Sequence, residues 1–198
     1  MNYSEAQLEI INTIDGNIGV IASAGSGKTT VLTKRIENMV KNHSIAPQDI
    51  LAVTFSKKAK ENIQDKLKEL NVNGVNIETF HSLALKIIGT KYGVGYFKVW
   101  TLQWEKEKIM QTICYDRMNL CSKDDVPYND ILRFIGKQKN AMLSTTDELI
   151  YSDDDPFSKN NMKEIFVSYE KFKEENRYIE FDDFLNLANE ALDEDENL

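Results

Sequence analysis

The stretch Ala22–Thr30 contains the residues of this chain best suited to chemistry on an anion. Its sequence, ASAGSGKTT, follows an apolar run at residues 18–21 and precedes an amphipathic stretch at residues 31–40. Gly25 and Gly27 allow a tight turn that brings backbone N–H groups against phosphate oxygens. The helix that follows would add its own free N–H groups and the positive end of its dipole. The order of strand, glycine-bearing loop and helix therefore predicts a phosphate-binding loop.

Lys28 and Thr29 would act directly on the bound group, Lys28 on the β- and γ-phosphates of a nucleotide and the Thr29 hydroxyl on Mg²⁺. The general pattern G-x-x-x-x-G-K-[ST] has glycine where this chain has Ala22, which is tolerable if Ala22 ends the strand and needs no positive φ. The alternative is a glycine-rich helix start without a ligand. The pattern predicts a nucleoside triphosphate site lined by Ala22, Ser23, Ala24, Gly25, Ser26, Gly27, Lys28, Thr29 and Thr30.

Gln7 lies ahead of this loop and allows two interpretations. Ser4-Glu5-Ala6-Gln7 has the form of a capping box, in which Gln7 reaches back to the helix N-cap. Gln7 could instead hydrogen-bond the edge of an adenine base. Spacing alone leaves both roles open.

Composition places the chain among soluble globular proteins. Its 198 residues are 41% hydrophobic and 28% charged, and no apolar run approaches the roughly 20 residues of a membrane span. The N-terminus lacks the basic and apolar regions of a secretory signal, so we expect a cytoplasmic protein with no membrane partner. Cys114 and Cys121 have no nearby His or Cys to complete a metal site, which predicts two reduced, partly buried thiols.

The net charge of −8 is unevenly distributed. Residues 1–91 hold 11 Lys/Arg and 9 Asp/Glu, whereas residues 92–198 hold 13 Lys/Arg and 23 Asp/Glu. The first part is thus mildly basic. Because local patches decide whether a phosphate backbone can dock, the acidic total does not exclude a nucleic-acid partner.

Besides a buried first strand at Ile18–Ala22, two strands are predicted: the apolar run Ile50–Phe55 as a second buried strand and Val75–Glu78 as a short third one, each followed by polar residues at its carboxyl end. Ser56-Lys57-Lys58 opens a helix after the second strand and suits an anion or a nucleic-acid backbone, with Phe55 as a stacking face for an unpaired base. The alternative is a solvated basic turn with Phe55 in the core. His81, after the third strand, lies where ligands of open α/β sheets bind, and the alternative is a buried histidine with its hydrogen bonds satisfied.

Beyond Lys91 the alternation of strands and helices stops. Helical patterns cover about 104–120, 128–140 and 162–176, joined by polar or acidic linkers. They predict an inserted all-helical subdomain. Its polar cluster, Lys137, Lys139 and Asn140, either contacts a nucleic-acid backbone or is a solvated helix end. A final helix is predicted after Tyr178, through about Leu192.

The ordered set of motifs resembles the amino-terminal half of the UvrD/PcrA/Rep helicases of superfamily 1. Gln7 matches the Q motif, Ala22–Thr30 motif I, Ala52–Ala59 motif Ia and Thr79–Ser82 motif Ib. Lys139-Asn140 and residues 181–185 resemble the inserted helical subdomain and the return to the core. Alanine at position 22 is common in that family. Ser23, usually glycine there, and Thr30, often arginine, depart from it.

The resemblance implies an α/β fold, a RecA-like P-loop NTPase with a parallel sheet flanked by helices. The nucleotide-binding subdomain would cover residues 1–91 and 178–198, and the helical insertion 92–177. It implies a 3′-to-5′ single-stranded DNA translocase driven by ATP and Mg²⁺, in which Gln7 reads the adenine. Single-stranded DNA would lie along Thr54, Phe55, Ser56, Lys57, Thr79, Phe80 and His81. The insertion would touch duplex at junctions between single and double strands.

Hydrolysis also needs a second acidic group on Mg²⁺ and a residue that orients water, usually at the end of an apolar strand. The pairs Asp147-Glu148, Asp182-Asp183 and Asp193-Glu194 do not follow such a strand. We therefore expect an amino-terminal fragment of a helicase that depends on the remaining motor domains of a parent chain. Alternatives are a helicase subunit of a RecB- or AddA-like helicase–nuclease, a non-catalytic nucleotide- and DNA-binding module, and a P-loop small-molecule kinase.

Overall fold

The computed structural model describes residues 3–23 and 25–195. The helices, in chain order, are α1 (Glu5–Asn12), α2 (Lys28–Asn42), α3 (Lys57–Glu69), α4 (Phe80–Tyr92), α5 (Gln103–Gln111), α6 (Tyr128–Asn140), α7 (Lys159–Asn176) and α8 (Phe181–Glu194). The strands are β1 (Leu51–Thr54), β2 (Asn76–Thr79), β3 (Lys98–Val99) and β4 (Tyr178–Ile179). A π-helical turn, Thr112–Arg117, continues α5, and single 3₁₀ turns cover Pro47–Asp49 and Lys123–Asp125. None of the helices in the described ranges is long and apolar enough to cross a membrane.

The chain divides into two compact units, Met1–Leu83 and Ala84–Leu198. In the first, β1 and β2 form a parallel pair whose register runs from Leu51 opposite Asn76 to Thr54 opposite Thr79. The core of this unit joins the pair to α2 and α3 through Ile36, Ile50, Ala52, Ile63, Leu67, Val72 and Ile77. The two strands predicted from the runs at 50–55 and 75–78 are confirmed, with bounds shifted by one residue. Parallel pairing with a helical crossover is the α/β arrangement predicted from the sequence.

The strand predicted at Ile18–Ala22 is wrong. Residues 17–23 have no strand conformation, and no backbone–backbone hydrogen bond involves residues 17–22 among the described residues. Ile18, Val20 and Ile21 are exposed rather than buried. An apolar run becomes a strand only when a neighbouring strand satisfies its backbone groups, and β1 pairs with β2 alone in the part of the chain described. The run therefore has no strand partner among the described residues.

The second unit is built around a helical core. Side chains from α5, the π-helical turn, α6 and α7 meet there, and Met110, Ile131, Met162, Ile165 and Tyr169 are fully buried. The helices predicted near 104–120, 128–140, 162–176 and 178–192 are confirmed. The region 92–177 is not all-helical, however, because β3 lies within it and pairs in parallel with β4. Two-residue strands are too short to show an alternation of apolar and polar residues, so no sequence pattern predicts them.

Both cysteines are free thiols, as predicted. Cys114 is buried and Cys121 is half-buried. Burial raises the pKa of the Cys114 thiol to about 12, so it stays protonated and unreactive at neutral pH.

Lys139 occupies neither of the positions considered for it. Its side chain is buried, with 5% of the residue exposed, and its Nζ lies 2.6 Å from Asp183 and 2.8 Å from Glu170. Lys173 approaches the other oxygen of Asp183 at 2.6 Å, and Glu180 completes the group. The sequence pattern placed Lys139 at a helix end, where lysine is usually solvated. Acidic partners 31 and more residues away in sequence make its burial possible.

The charges of this cluster sustain one another. Burial alone would lower the pKa of Lys139, but Glu170, Asp183 and Glu180 hold it above its usual value. Burial alone would raise the pKa of Asp183, but Lys173 and Lys139 hold it below its usual range. The directions of these shifts favour the charged forms of Lys139 and Asp183, and α6, α7 and the start of α8 are joined by largely buried ion pairs.

Removing one of these charges leaves its partners buried and uncompensated. We expect Lys139→Met to lower the free energy of unfolding by about 3 kcal/mol, because removing one member of a buried ion pair leaves the other charges buried without compensation. Loss of an exposed ion pair costs at most about 1 kcal/mol. Lys137→Met is the matched control, since Lys137 is exposed on the same helix. Urea denaturation followed by circular dichroism measures both. Equal effects of the two substitutions would contradict the structural role of the cluster.

Candidate functional site

The loop before α2 turns at two glycines. Gly25 and Gly27 both have positive φ, of 79° and 85°, which favour glycine. The Ser26 N–H donates to the Ser23 carbonyl at 3.4 Å, and Gly27 is the N-cap residue of α2. Ala22 is not among the described non-glycine residues with positive φ, so alanine is tolerated there although no strand precedes it. Ala24, also predicted for this site, lies outside the described residues.

Lys28 is exposed at the start of α2 and folds back over the loop. Its Nζ donates to the carbonyl oxygens of Ala22 and Ser23 at 2.9 and 2.6 Å. A phosphate oxygen would have to replace these neutral acceptors, which a charged acceptor does favourably. Thr29 and Thr30 follow in the first turn of α2 and are half-buried.

Gln7 forms the predicted capping box and also contacts the loop, so its amide lies beside the predicted nucleotide site. Its Oε1 accepts the Ser4 backbone N–H at 3.0 Å, and Ser4 Oγ accepts the Gln7 N–H, which completes the predicted capping box. Its Nε2 donates to the Ser26 carbonyl of the loop at 3.3 Å. The amide therefore ties α1 to the loop. To read a base edge, it would exchange one of these contacts.

A cleft of about 520 Å³ opens between α1, residues 18–22 and α2. Gln7, Ser26 and Lys28 lie at its polar side, and most of the remaining lining is apolar: Ala6, Ile10, Ile18, Val20, Ile21, Ala22, Val31 and Leu32. A flat aromatic base needs apolar walls and a few polar groups that fix its orientation. The cleft offers both beside the loop.

Two side chains of α2 that the sequence analysis did not single out hold α1 in place. Arg35 donates to the carbonyls of Ile10 and Ile14 at 3.0 and 3.3 Å, and Asn38 donates to that of Ile11 at 3.0 Å. The carbonyls of Ile10 and Ile11 belong to the last turn of α1, where the helix backbone leaves carbonyls without partners, and Ile14 follows the helix. The spacing of three residues puts Arg35 and Asn38 on one face of α2, which was the available signal.

The polar segments that follow β1 and β2 lie at the same edge of the sheet. Thr54 and Thr79 are opposite each other in the register, so the residues after them emerge side by side. Phe55 is 86% exposed and Phe80 is 51% exposed. The core position considered for Phe55 is therefore wrong, and both rings are available for stacking. His81 is half-buried in the first turn of α4.

Ser56 begins α3 as its N-cap, with its Oγ accepting the Ala59 N–H at 3.2 Å. Next to it, a cleft of about 530 Å³ is lined from three sides: Lys28, Thr29 and Leu32 of α2, Val53 and Thr54 of β1, and Ser56, Lys58, Ala59, Asn62, Ile63 and Lys66. Three of these residues are lysines and none is acidic. The predicted phosphate loop and the predicted strand-end segment thus share one cationic cleft.

Asn62 and Lys66 also line this cleft, although no motif in the sequence predicts them. They follow Lys58 at intervals of four residues on α3, a spacing that places them on one helix face. That signal was present in the sequence, but only the position of α3 against β1 shows that the face is turned to Thr29.

No group of three or more His, Cys, Asp or Glu residues in the described part of the chain could hold a metal ion by itself. Thr29 is the one residue of the phosphate loop that the sequence predicts as a ligand of Mg²⁺. In nucleotide sites Mg²⁺ usually retains several waters.

Known proteins similar to this chain are named as DNA helicases. A family model for the UvrD/REP helicase N-terminal domain matches residues 3–198. The ATP-dependent DNA helicase PcrA of Leuconostoc citreum is 31% identical over 92% of this chain and 25% of its own length. PcrA of Bacillus subtilis strain 168 is 28% identical over 98% of this chain and 28% of its own length.

A shorter match of higher identity is the probable DNA helicase II homolog of Rickettsia conorii, 44% identical over 42% of this chain and 13% of its own length. The chain thus spans about a quarter of the length of the PcrA relatives. Because the family model covers nearly every residue, the match does not depend on the phosphate loop alone. The chain belongs to the UvrD/REP helicase N-terminal domain family.

Proposed function

We propose that this chain is the ATP- and single-stranded-DNA-binding part of a DNA helicase that couples ATP hydrolysis to 3′-to-5′ translocation and duplex unwinding. Within it, residues 1–91 and 178–198 would form the RecA-like nucleotide-binding subdomain and 92–177 the insertion that meets the junction of single- and double-stranded DNA. The protein would act in the cytoplasm together with further motor domains. The family and the names of the relatives support the class of activity.

The single observation that carries the proposal is the cleft shared by α2 and the carboxyl end of β1. Thr29, in the first turn after the phosphate loop, lies in the same lining as Thr54 and Ser56, which belong to the strand-end segment. A helicase has to link the state of its nucleotide to its grip on DNA. Two sites with a common wall need no intermediate element to influence each other.

For the nucleotide, the support is the loop geometry and the apolar cleft beside it. The phosphates would lie against the N–H groups of the loop and of the first turn of α2, with Lys28 on the β- and γ-phosphates and Thr29 on Mg²⁺. The base would enter the cleft lined by Ile10, Ile18 and Leu32 and meet the amide of Gln7. Bound Mg²⁺ would neutralise phosphate charge during hydrolysis.

For DNA, the support is the pair of exposed rings at one edge. Phe55 and Phe80 would stack on bases of a single strand, which every base permits and which needs no sequence preference. Thr54, Ser56, Lys57, Thr79 and His81 would follow the sugar–phosphate backbone. A duplex hides its base faces, so a surface of this kind selects single strands.

Loss of the Lys28 ammonium should weaken nucleotide binding. We expect Lys28→Ala to raise the Kd for a fluorescent ATP analogue at least tenfold, since a charge-assisted contact to phosphate is lost. Lys34→Ala is the control, because Lys34 lies on the same helix but pairs with Glu37. Equilibrium titration by fluorescence anisotropy gives both values. Binding unchanged by Lys28→Ala would refute the phosphate-loop assignment.

Loss of the Phe55 ring should weaken single-strand binding. We expect Phe55→Ala to raise the Kd for labelled oligothymidine about fivefold or more, because stacking of one base on an aromatic ring contributes about 1–3 kcal/mol. Leu51→Ala truncates an exposed apolar side chain at the other end of β1 and should have no effect. If the two variants bind alike, the edge is not the DNA site.

The 198-residue chain should bind ATP more readily than it hydrolyses it. No carboxylate lines either of the two clefts in the described part of the chain, and hydrolysis needs acidic groups on Mg²⁺ and on the attacking water. We expect DNA-stimulated turnover below about 0.1 s⁻¹, against the roughly 10 s⁻¹ of a typical enzyme. A phosphate-release assay measures it, with Lys28→Ala to exclude a contaminating ATPase. Turnover at the level of a complete motor, abolished by Lys28→Ala, would contradict this expectation.

A further inference from the structure

A buried carboxylate lies directly beneath the proposed DNA-binding edge. Glu78 precedes Thr79 at the end of β2 and is only 7% exposed. A negative charge beside a surface for a polyanion opposes binding, and a carboxylate is rarely buried without partners. The contacts of Glu78 therefore affect how strongly this edge can bind a phosphate backbone.

The first contact removes a cation from the edge. Lys60 Nζ lies 2.9 Å from Glu78 Oε2, with the lysine side chain 27% exposed and the glutamate side chain 9% exposed. Lys60 belongs to the first turn of α3, where its N–H donates to the carbonyl of Ser56. It is therefore close to the strand-end segment, yet its charge is directed inward. Lys57 and Lys58, in the same turn, are exposed.

The second contact orders the turn from β2 into α4. Ser82 Oγ donates to the same Glu78 oxygen at 2.6 Å, which fixes the direction of its proton. The oxygen of that hydroxyl then accepts the Thr79 N–H at 2.8 Å, and Thr79 Oγ1 accepts the Ser82 N–H at 3.2 Å. This reciprocal cap sets the backbone of Phe80 and His81, which lie inside the turn.

We propose that Glu78 is a positioning residue that sets the strength and the salt dependence of single-strand binding. It does so by holding Lys60 away from the DNA and by fixing the Thr79–Ser82 turn. The inference rests on the proposed function. A strand that must move along the protein needs contacts that can be released, and pairing one lysine inward reduces the number of phosphates held at once.

Glu78→Gln separates the two effects, because the amide oxygen still accepts from Ser82 while the charge is gone. Lys60 then becomes available to a phosphate. One more phosphate contact on a single strand steepens the slope of log K against log salt by about 0.7 and tightens binding about three- to tenfold at 50 mM salt. Oligothymidine anisotropy between 50 and 300 mM salt measures both quantities.

Two further variants test whether Lys60 carries the gain. In Glu78→Gln/Lys60→Gln the extra cation is absent, so affinity and slope should return to those of the unmodified chain. Glu61→Gln removes an exposed carboxylate next to Lys60 on α3 and changes the net charge equally. We expect Glu61→Gln to give less than half of the gain in affinity and no change in slope. A gain as large as that of Glu78→Gln would mean that net charge alone acts, and would overturn the proposal.

Ser82→Ala tests the ordering of the turn while both members of the ion pair, Lys60 and Glu78, stay in place. We expect weaker binding with an unchanged salt slope, because a stacking contact is loosened while the number of phosphate contacts stays the same. A thermal unfolding curve for each variant shows that it is folded. Binding equal to that of the unmodified chain would overturn this half of the proposal.

The outcomes distinguish the inference from the function on which it rests. If the unmodified chain does not bind oligothymidine, or if Phe55→Ala binds as well as it does, the proposed DNA-binding edge fails. If Phe55→Ala weakens binding but Glu78→Gln leaves affinity and salt slope unchanged, the edge stands and the role of Glu78 is wrong.

Discussion

The parallel pairing of β1 with β2 is the constraint on which the candidate site depends. Parallel strands point their carboxyl ends in one direction, so whatever follows each strand emerges at a common edge. Here two helices begin at that edge, α3 after Ser56 and α4 after Thr79. Their first turns bring hydroxyls, lysines and two exposed rings together from segments 25 residues apart in sequence. A change of register by one residue would turn every side chain of one strand to the opposite face.

In the first unit, lysines lie where the proposed ligands carry phosphate groups. Its open cleft carries Lys28, Lys58 and Lys66, which suits phosphates of either a nucleotide or a nucleic acid. A fourth lysine, Lys60, is paired with Glu78 and does not line the cleft. The charge that a ligand meets at this edge therefore cannot be read from the net charge of the chain. Short-range pairing decides which cations a polyanion meets.

The second unit uses charge for a structural purpose. The group formed by Lys139, Lys173, Glu170, Glu180 and Asp183 joins helices that are far apart in sequence. Buried ion pairs of this kind gain little over apolar contacts, but each member makes the loss of another costly. They specify which helix ends meet. From the sequence, Lys139 could also be interpreted as a nucleic-acid contact. A basic residue at a helix end is found both in such contacts and in structural ion pairs.

The sequence by itself determined the local chemistry: the glycine turn, the lysine and threonine of the phosphate loop, the capping box at Ser4 and Gln7, and most helices. These depend on residues within one or two turns, so spacing predicts them. Only the tertiary structure decided that residues 18–22 lack a strand partner, that Phe55 is exposed, that Lys139 is buried and that Glu78 holds Lys60. Each of these depends on which distant segments meet, and pairing and burial are properties of contacts that no local pattern contains.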